Sequence, residues 1–528
     1  MPNEIPLAFL LIAVLVAVVI TILVTNSIHD EHVNESHLFM TTTIAQQQQE
    51  ADQAGATAKD KNTNDGPSSS ERHFTQRQLD LQEDLTTENQ KQGNMGGGPG
   101  YHVVFSTACS AQQHWESYVL FYHAWRVRQP GNVTRIASGC KPHEASALQE
   151  FHQTVIQTTL STRFHLHLTP DYSRVRLDHG KFAYKYMNKP FGLRHWMEHT
   201  LGYSSSSSSP NSNNSSSSVY DDDIVMLMDP DMILTKPLTH DFSSSSSNDG
   251  TIWVDKPRDP TRWYVRHGNP MAQQDGYLNS KWLHLNVSYI TNDTQSPVWG
   301  LTARDGVHSY NTGPPYLATA RDMYRIAIRW TEYAPRVFDV FPKLFAEMFG
   351  YCFATAQLRL PHTLVKSLVL STTMTNDREG WPLVDQYQEP VCPFPDNNNN
   401  NNNKKEPHQP LPTILHYCKR YMVGRFFWSK YRLRKDYLSC EAPLLTVPPP
   451  NITQVDWWLS IPTAGGDTSQ VTVTKLKNAK TAKREAFMIC GMIGKVNEAV
   501  EHFKRKHCGD KANFNHTYNF HDDPGKHR

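Results

Sequence analysis

Asp221-Asp-Asp-Ile-Val-Met-Leu-Met-Asp-Pro-Asp-Met232 is the stretch on which the fold turns. The apolar run from Ile224 to Met228 is short, acids precede it and a proline follows, so it reads as a strand rather than a helix. A run with no polar face is buried on both sides, which places it in the mainly parallel sheet of an α/β domain. Such domains bind ligands just beyond the carboxyl ends of their strands. Asp229 and Asp231 arrive at that edge. Two hard carboxylate ligands on a tight turn suit Mg²⁺ or Mn²⁺ held together with substrate phosphates. Taken alone, Asp-Pro-Asp is equally an ordinary turn. Asp221 to Asp223 fall at the other end of the strand and drop out of the site.

The chain of 528 residues is 38% hydrophobic and 20% charged, and several stretches are runs of Ser, Asn or Gln. That composition predicts one large folded domain with disordered pieces rather than several domains. A net charge of +1 gives no bulk electrostatic case for nucleic acid. The cysteines, at 109, 140, 352, 392, 418, 440, 490 and 508, form no Cys-x-x-Cys pair, and their even number suits an oxidising compartment.

Residues 5–24 carry no charge and match the thickness of a bilayer core of ~30 Å. No basic residue precedes them, and Thr25-Asn26-Ser27 is a poor cleavage site, so they predict an uncleaved transmembrane signal anchor. The expected layout is a single-pass type II membrane protein of the Golgi or ER. It has a cytoplasmic tail of 1–4, a disordered stem of 25–100 and a luminal catalytic domain of 101–445. Sequons at Asn34, Asn132, Asn213, Asn214, Asn286, Asn292, Asn451 and Asn515 agree with a luminal glycoprotein. Segments 204–218, 243–247 and 397–403 are low-complexity surface insertions. Residues 446–528 form a C-terminal extension with one amphipathic helix, marked by Ile489, Ile493, Val496, Val500 and Phe503. Cys490 and Cys508 on that helix would stand ~27 Å apart and cannot pair with each other.

Between these limits, 101–107 reads as a strand, 114–128 as a helix and 129–138 as a turn and second strand, a βαβ unit. Helices are expected over 181–199 with a break near 188–191, over 317–330 and over 341–358. His416 follows a short β-like run and is the candidate third metal ligand, although on position alone a satisfied strand histidine is the commoner case. Lys419 and Arg420, just beyond it, are candidates for the donor phosphates, or a solvated basic face. Glu347 sits among Phe, Met and Tyr, as an acid buried for an acceptor site or as a surface residue of its helix. His267 to Asp275 is a polar loop that would hold sugar hydroxyls, or only a turn.

An ordered set of motifs runs through 101–445: Tyr101-His-Val-Val-Phe-Ser-Thr107, Gly131-Asn-Val-Thr-Arg-Ile136, Asn188-Lys-Pro-Phe191 with His195-Trp196, Ile224 to Met232, Gly313-Pro-Pro315, Glu347-Met-Phe-Gly-Tyr351 and His416-Tyr-Cys418. In this the chain resembles the plant-type hydroxyproline O-arabinosyltransferase and peptidyl serine α-galactosyltransferase family. The resemblance implies a GT-A type fold, a mixed and mainly parallel sheet flanked by helices. It implies transfer of galactose or arabinose from a UDP-sugar to serine or hydroxyproline hydroxyls of secreted or cell-wall proteins, with Asp229 and Asp231 as the metal motif. It also implies a disulfide between Cys109 and Cys140. Asp231, further out on the turn, is expected to ligate the metal directly. Asp229 is expected at the donor's ribose or the metal's water shell. Two rivals share these residues: a non-catalytic glycan-binding protein on the same fold, and a metal-dependent sugar-nucleotide hydrolase.

Overall fold

The computed structural model describes residues 99–517, apart from 178–179, 205–217, 244–262, 276–277, 375–378, 388–390, 393–410, 424–425, 455–457, 463–470 and 476–478. The expected anchor at 5–24, most of the stem and nearly all of the three insertions lie outside the described residues. Among the described residues, no helix is long and apolar enough to cross a membrane.

The chain opens with β1 (Tyr101–Ala108), α1 (Ala111–Arg126) and β2 (Asn132–Ser138). Ser110 accepts from the N–H of Gln113 and starts the helix, as N-cap serines do. The two strands pair in parallel, Val103 opposite Val133, which makes the expected βαβ unit. β3 (Phe164–Thr169) adds on beyond β2, and β4 (Ile224–Met228) lies on the other side of β1, also parallel. Next comes β7 (Thr312–Thr319), the reversed strand, and then β6 (Met271–Gln274) and β8 (Thr363–Val365). The seven-stranded sheet therefore runs β8-β6-β7-β4-β1-β2-β3, mixed and mainly parallel. Asn132, the sequon residue of β2, is buried.

β4 explains why its run has no polar member. Ile224, Met226 and Met228 enter the core on one face, with Trp115 and Tyr118 of α1. Val225 and Leu227 enter the core on the other face. Side chains alternate along a strand, so a strand covered on both faces must be apolar throughout. The second face is covered by α2 (Asn188–Thr200), α3 (Ala320–Val340) and α4 (Ala346–Gln357). α3 and α4 approach so closely at Gly350 that an added Cβ would lie 2.8 Å from Ala334 Cα.

Three sequence expectations need correcting. Residues 317–319 belong to β7, because Leu317 pairs with Met226 and draws this apolar run into the sheet. The helix then begins at Ala320, capped by Thr319, which accepts from the N–H of Asp322. Residues 180–183 form a strand against Arg174–Leu177, so helix α2 starts only at Asn188. Phe341 to Phe345 precede α4 rather than opening it.

The C-terminal helix α5 (Ala479–His507) packs into the same core as α1 and β4. Ile489, Ile493, Val496, Val500 and Phe503 are all buried, as their spacing predicts. Disulfides Cys392–Cys490 and Cys440–Cys508 tie this helix to earlier chain. Although 446–528 reads in sequence as an extension, its helix is a wall of the main core. The described residues fall in one compact unit.

Candidate functional site

The carboxyl edge of β4 carries Asp229-Pro-Asp231. The chain turns there and re-enters as β5 (Met232–Leu234), which belongs to a second, three-stranded sheet with β9 (Val369–Leu370) and β10 (Ile414–His416). In the antiparallel register of β5 and β10, His416 stands opposite Met232. The N–H of Tyr417 donates to the Asp231 carbonyl at 3.1 Å. That register, set by backbone pairing, brings a histidine from far along the chain to the acidic turn.

One ligand atom each from Asp229, Asp231 and His416 lies within 4.8 Å of the other two. His416 Nε2 is 3.2 Å from Asp231 Oδ1 and 3.8 Å from Asp229 Oδ2. The site is half-sealed, with the side chains of Asp231, His416 and Asp229 exposed by 7%, 14% and 19%. The three residues expected to hold a metal are thus gathered, and both aspartates stand in the group.

Each aspartate also holds a lysine. Lys189 Nζ lies 2.8 Å from Asp229 Oδ1 and 2.9 Å from Glu347 Oε1. Lys430 Nζ lies 2.6 Å from Asp231 Oδ2 and 3.9 Å from Glu116 Oε1. Glu347, Lys189, Asp229, His416, Asp231, Lys430 and Glu116 therefore form one row of facing charges along the carboxyl edge. Burial would push the Asp231 carboxyl up, but the charges of Lys430 and His416 override it and hold it well below the usual range. Burial likewise opposes the charge on Lys430, and Asp231 and Glu116 together keep its ammonium well above its ordinary value. Lys189 is raised in the same way by Asp229 and Glu347. Burial dominates at Glu347 and raises its carboxyl despite Lys189.

Glu347 meets the site through Lys189. Its second carboxylate oxygen is buried without a hydrogen-bond partner. Glu347, expected at an acceptor site, is buried and holds Lys189 against Asp229.

Lys419 and Arg420, expected at the donor phosphates, are set against Thr372 and the α5 residue Glu485. Lys419 Nζ donates to Thr372 Oγ1 at 2.9 Å, near the buried Glu379 and Glu485. Arg420 lies near Glu485 and Arg432. The hairpin of Tyr421–Val423 and Phe426–Trp428 explains the difference. It folds the basic stretch back on itself, so Lys430 is the one that meets Asp231. The polar loop 267–275 is also split. His267 pairs with Asp322 at 3.0 Å, and the N–H of Gly268 donates to the same carboxylate. Met271 to Gln274 form strand β6.

Lys189, Lys430 and Glu116 were missed in the sequence. Lys189 lies inside the Asn188-Lys-Pro-Phe motif, which was a usable signal. Glu116 offered one too, as an acid among the apolar residues of α1. Lys430 offered none beyond the general basic character of 419–435.

No family model matches the chain. Among curated proteins, a stretch of 289 residues is 25% identical to the peptidyl serine alpha-galactosyltransferase of Arabidopsis thaliana, covering 52% of this chain and 28% of that protein. This chain is similar to a peptidyl serine α-galactosyltransferase. The family resemblance carried by the motifs is thereby upheld, and the predicted Cys109–Cys140 disulfide is present. The chain spans little more than a quarter of the length of the galactosyltransferase it matches. Among solved structures, the galactosyltransferase LgtC with donor and acceptor sugar analogs is 9% identical, with a TM-score of 0.30, covering 60% of this chain and 87% of that one. The WbbM bifunctional glycosyltransferase is 8% identical, with a TM-score of 0.28, covering 62% and 46%.

Proposed function

We propose that the chain is a glycosyltransferase of GT-A type. It moves galactose or arabinose from a UDP-sugar to serine or hydroxyproline hydroxyls of secretory polypeptides. The observation that carries this reading is the Asp229–Asp231–His416 group at the carboxyl edge of β4. The similarity to a peptidyl serine galactosyltransferase supports it. The chain would work in the Golgi or ER lumen, anchored through residues 5–24.

Two carboxylates and one imidazole form a donor set that fits Mn²⁺, or Mg²⁺ with less preference for the nitrogen. When bound, such an ion neutralises the charge that builds on a leaving diphosphate. The protein's own groups do the rest. Lys430 fixes Asp231 and brings a positive charge to the edge where the diphosphate would lie. Lys189, held from behind by Glu347, fixes Asp229. The buried neighbours keep the local dielectric low, which strengthens these interactions.

The test is a screen of UDP-sugars with the purified full chain, Mn²⁺ and a Ser/Hyp-rich peptide, read by mass spectrometry. A mass shift of one hexose or pentose that chelation abolishes is the expected result. UDP-sugar cleavage that proceeds equally without peptide would sink the transferase reading and favour a hydrolase.

A further inference from the structure

A second cleft lies away from the acidic turn. It has a volume of about 840 Å³ and runs between the end of α1 and the segment after β5. Trp125, Arg126, Arg128, Arg163, Phe164 and Lys236 line it, and among the described residues its lining holds no acid. Arg128 and Trp125 are exposed, and Arg163 and Lys236 are half-buried. The cleft borders the start of β3, so it opens at the edge of the sheet opposite Asp229 and Asp231.

The walls are fixed before any ligand arrives. The Gln129 side chain donates to the Leu238 carbonyl at 2.8 Å and accepts from the Leu238 N–H at 2.7 Å. It joins the end of α1 to the chain following β5. Arg163 donates to the Gly131 carbonyl at 3.1 Å, which fixes its guanidinium beside the cleft. Arg126 is partly neutralised by Glu498, at 2.8 Å. Basic residues at a helix C-terminus answer the helix dipole, which accounts for Arg126 and Arg128 in part. It does not account for Arg163, which lies on another segment. Arg128 also holds a left-handed backbone, φ 55°, just past the helix end, where glycine or asparagine is usual.

We propose that this cleft binds an acidic segment of a partner polypeptide. Clustered cations attract and orient an anionic partner. The aromatic and aliphatic wall of Trp125, Leu160 and Phe164 suits side chains between the acids, which a bare polyanion lacks. The volume is that of a ligand cleft and is too small for a duplex. The inference stands whether or not the chain transfers sugar.

The experiment is fluorescence anisotropy of a labelled peptide alternating Glu with aromatic residues, titrated with the full chain. A matched peptide with Gln for Glu serves as reference. Binding of the Glu peptide that weakens with salt, and that Arg128→Glu/Lys236→Glu weakens at least about tenfold, is expected. Trp125→Ala weakens it as well. Arg434→Glu, on an exposed residue elsewhere, leaves it unchanged. Equal affinity for the Gln peptide, equal affinity of the double variant with an unchanged thermal midpoint, or tighter binding of a heparin fragment than of the peptide would overturn the proposal.

Discussion

Lys189 Nζ sits 2.8 Å from Asp229 Oδ1, so the first acid of the Asp-Pro-Asp turn is held by a lysine from a helix on the far face of the sheet. The same ammonium is 2.9 Å from Glu347, whose side chain is only 4% exposed.

Removing that lysine strands a buried acid. Lys189→Met is expected to cost about 3 kcal/mol in urea unfolding. Adding Glu347→Gln should recover part of the loss, with a coupling of at least about 1 kcal/mol in the double-mutant cycle. Strict additivity would mean that the two residues do not act as a pair.

Asp231→Asn keeps the shape of the turn and removes one ligand charge. Mn²⁺ binding by calorimetry should vanish, and transfer should fall by about 100-fold. Asp223→Asn serves as the reference. Asp223 bonds His102 and the Gly100 N–H at the other end of β4, so its loss leaves Mn²⁺ affinity unchanged.

Six of the cysteines are paired, and Cys352 and Cys418 are free. Thiol titration of the denatured, unreduced protein should count two. The bonds Cys392–Cys490 and Cys440–Cys508 close stretches of 98 and 68 residues and fix α5 to the core. Cys490→Ala or Cys508→Ala should each cost about 3 kcal/mol, measured as a shift of the unfolding midpoint.

Glu485 on α5 accepts from Thr373 Oγ1 and from the Met422 N–H, and burial pushes its carboxyl from 4.5 up to about 7. Between those values the folded chain keeps a proton that the unfolded chain has released. Stability from this group is therefore present at low pH and lost as pH rises through that window, by about 3 kcal/mol over the whole of it. Unfolding measured near pH 5 and again above pH 7 should show the decline in the parent chain and a smaller one in Glu485→Gln.

Much of the fold was legible because local pattern and tertiary need agree. The unbroken apolar run of β4 reports a strand covered on both faces, and the stripe from Ile489 to Phe503 reports a buried helix face. Where they disagree, the sheet wins. Residues 317–319 look helical but pair with β4, since backbone groups buried there must be hydrogen-bonded.

For the site, sequence named Asp229, Asp231 and His416 as candidates, and the tertiary structure brought their ligand atoms within 4.8 Å of one another. Asp229 and Asp231 follow from a strand that ends on two acids, and His416 from a second strand that ends on a histidine. Tertiary structure decided which cations serve them. Lys419 and Lys430 are chemically alike and lie in one basic stretch. Only the antiparallel pairing of Tyr421 with Trp428 turns the chain so that Lys430 meets Asp231 and Lys419 meets Thr372. Lys189 and Glu347 are far apart in sequence, and their ion pair exists because α2 and α4 pack on the same face of the sheet. A single residue's chemistry is written in its type, whereas an ion pair depends on where two backbones are placed.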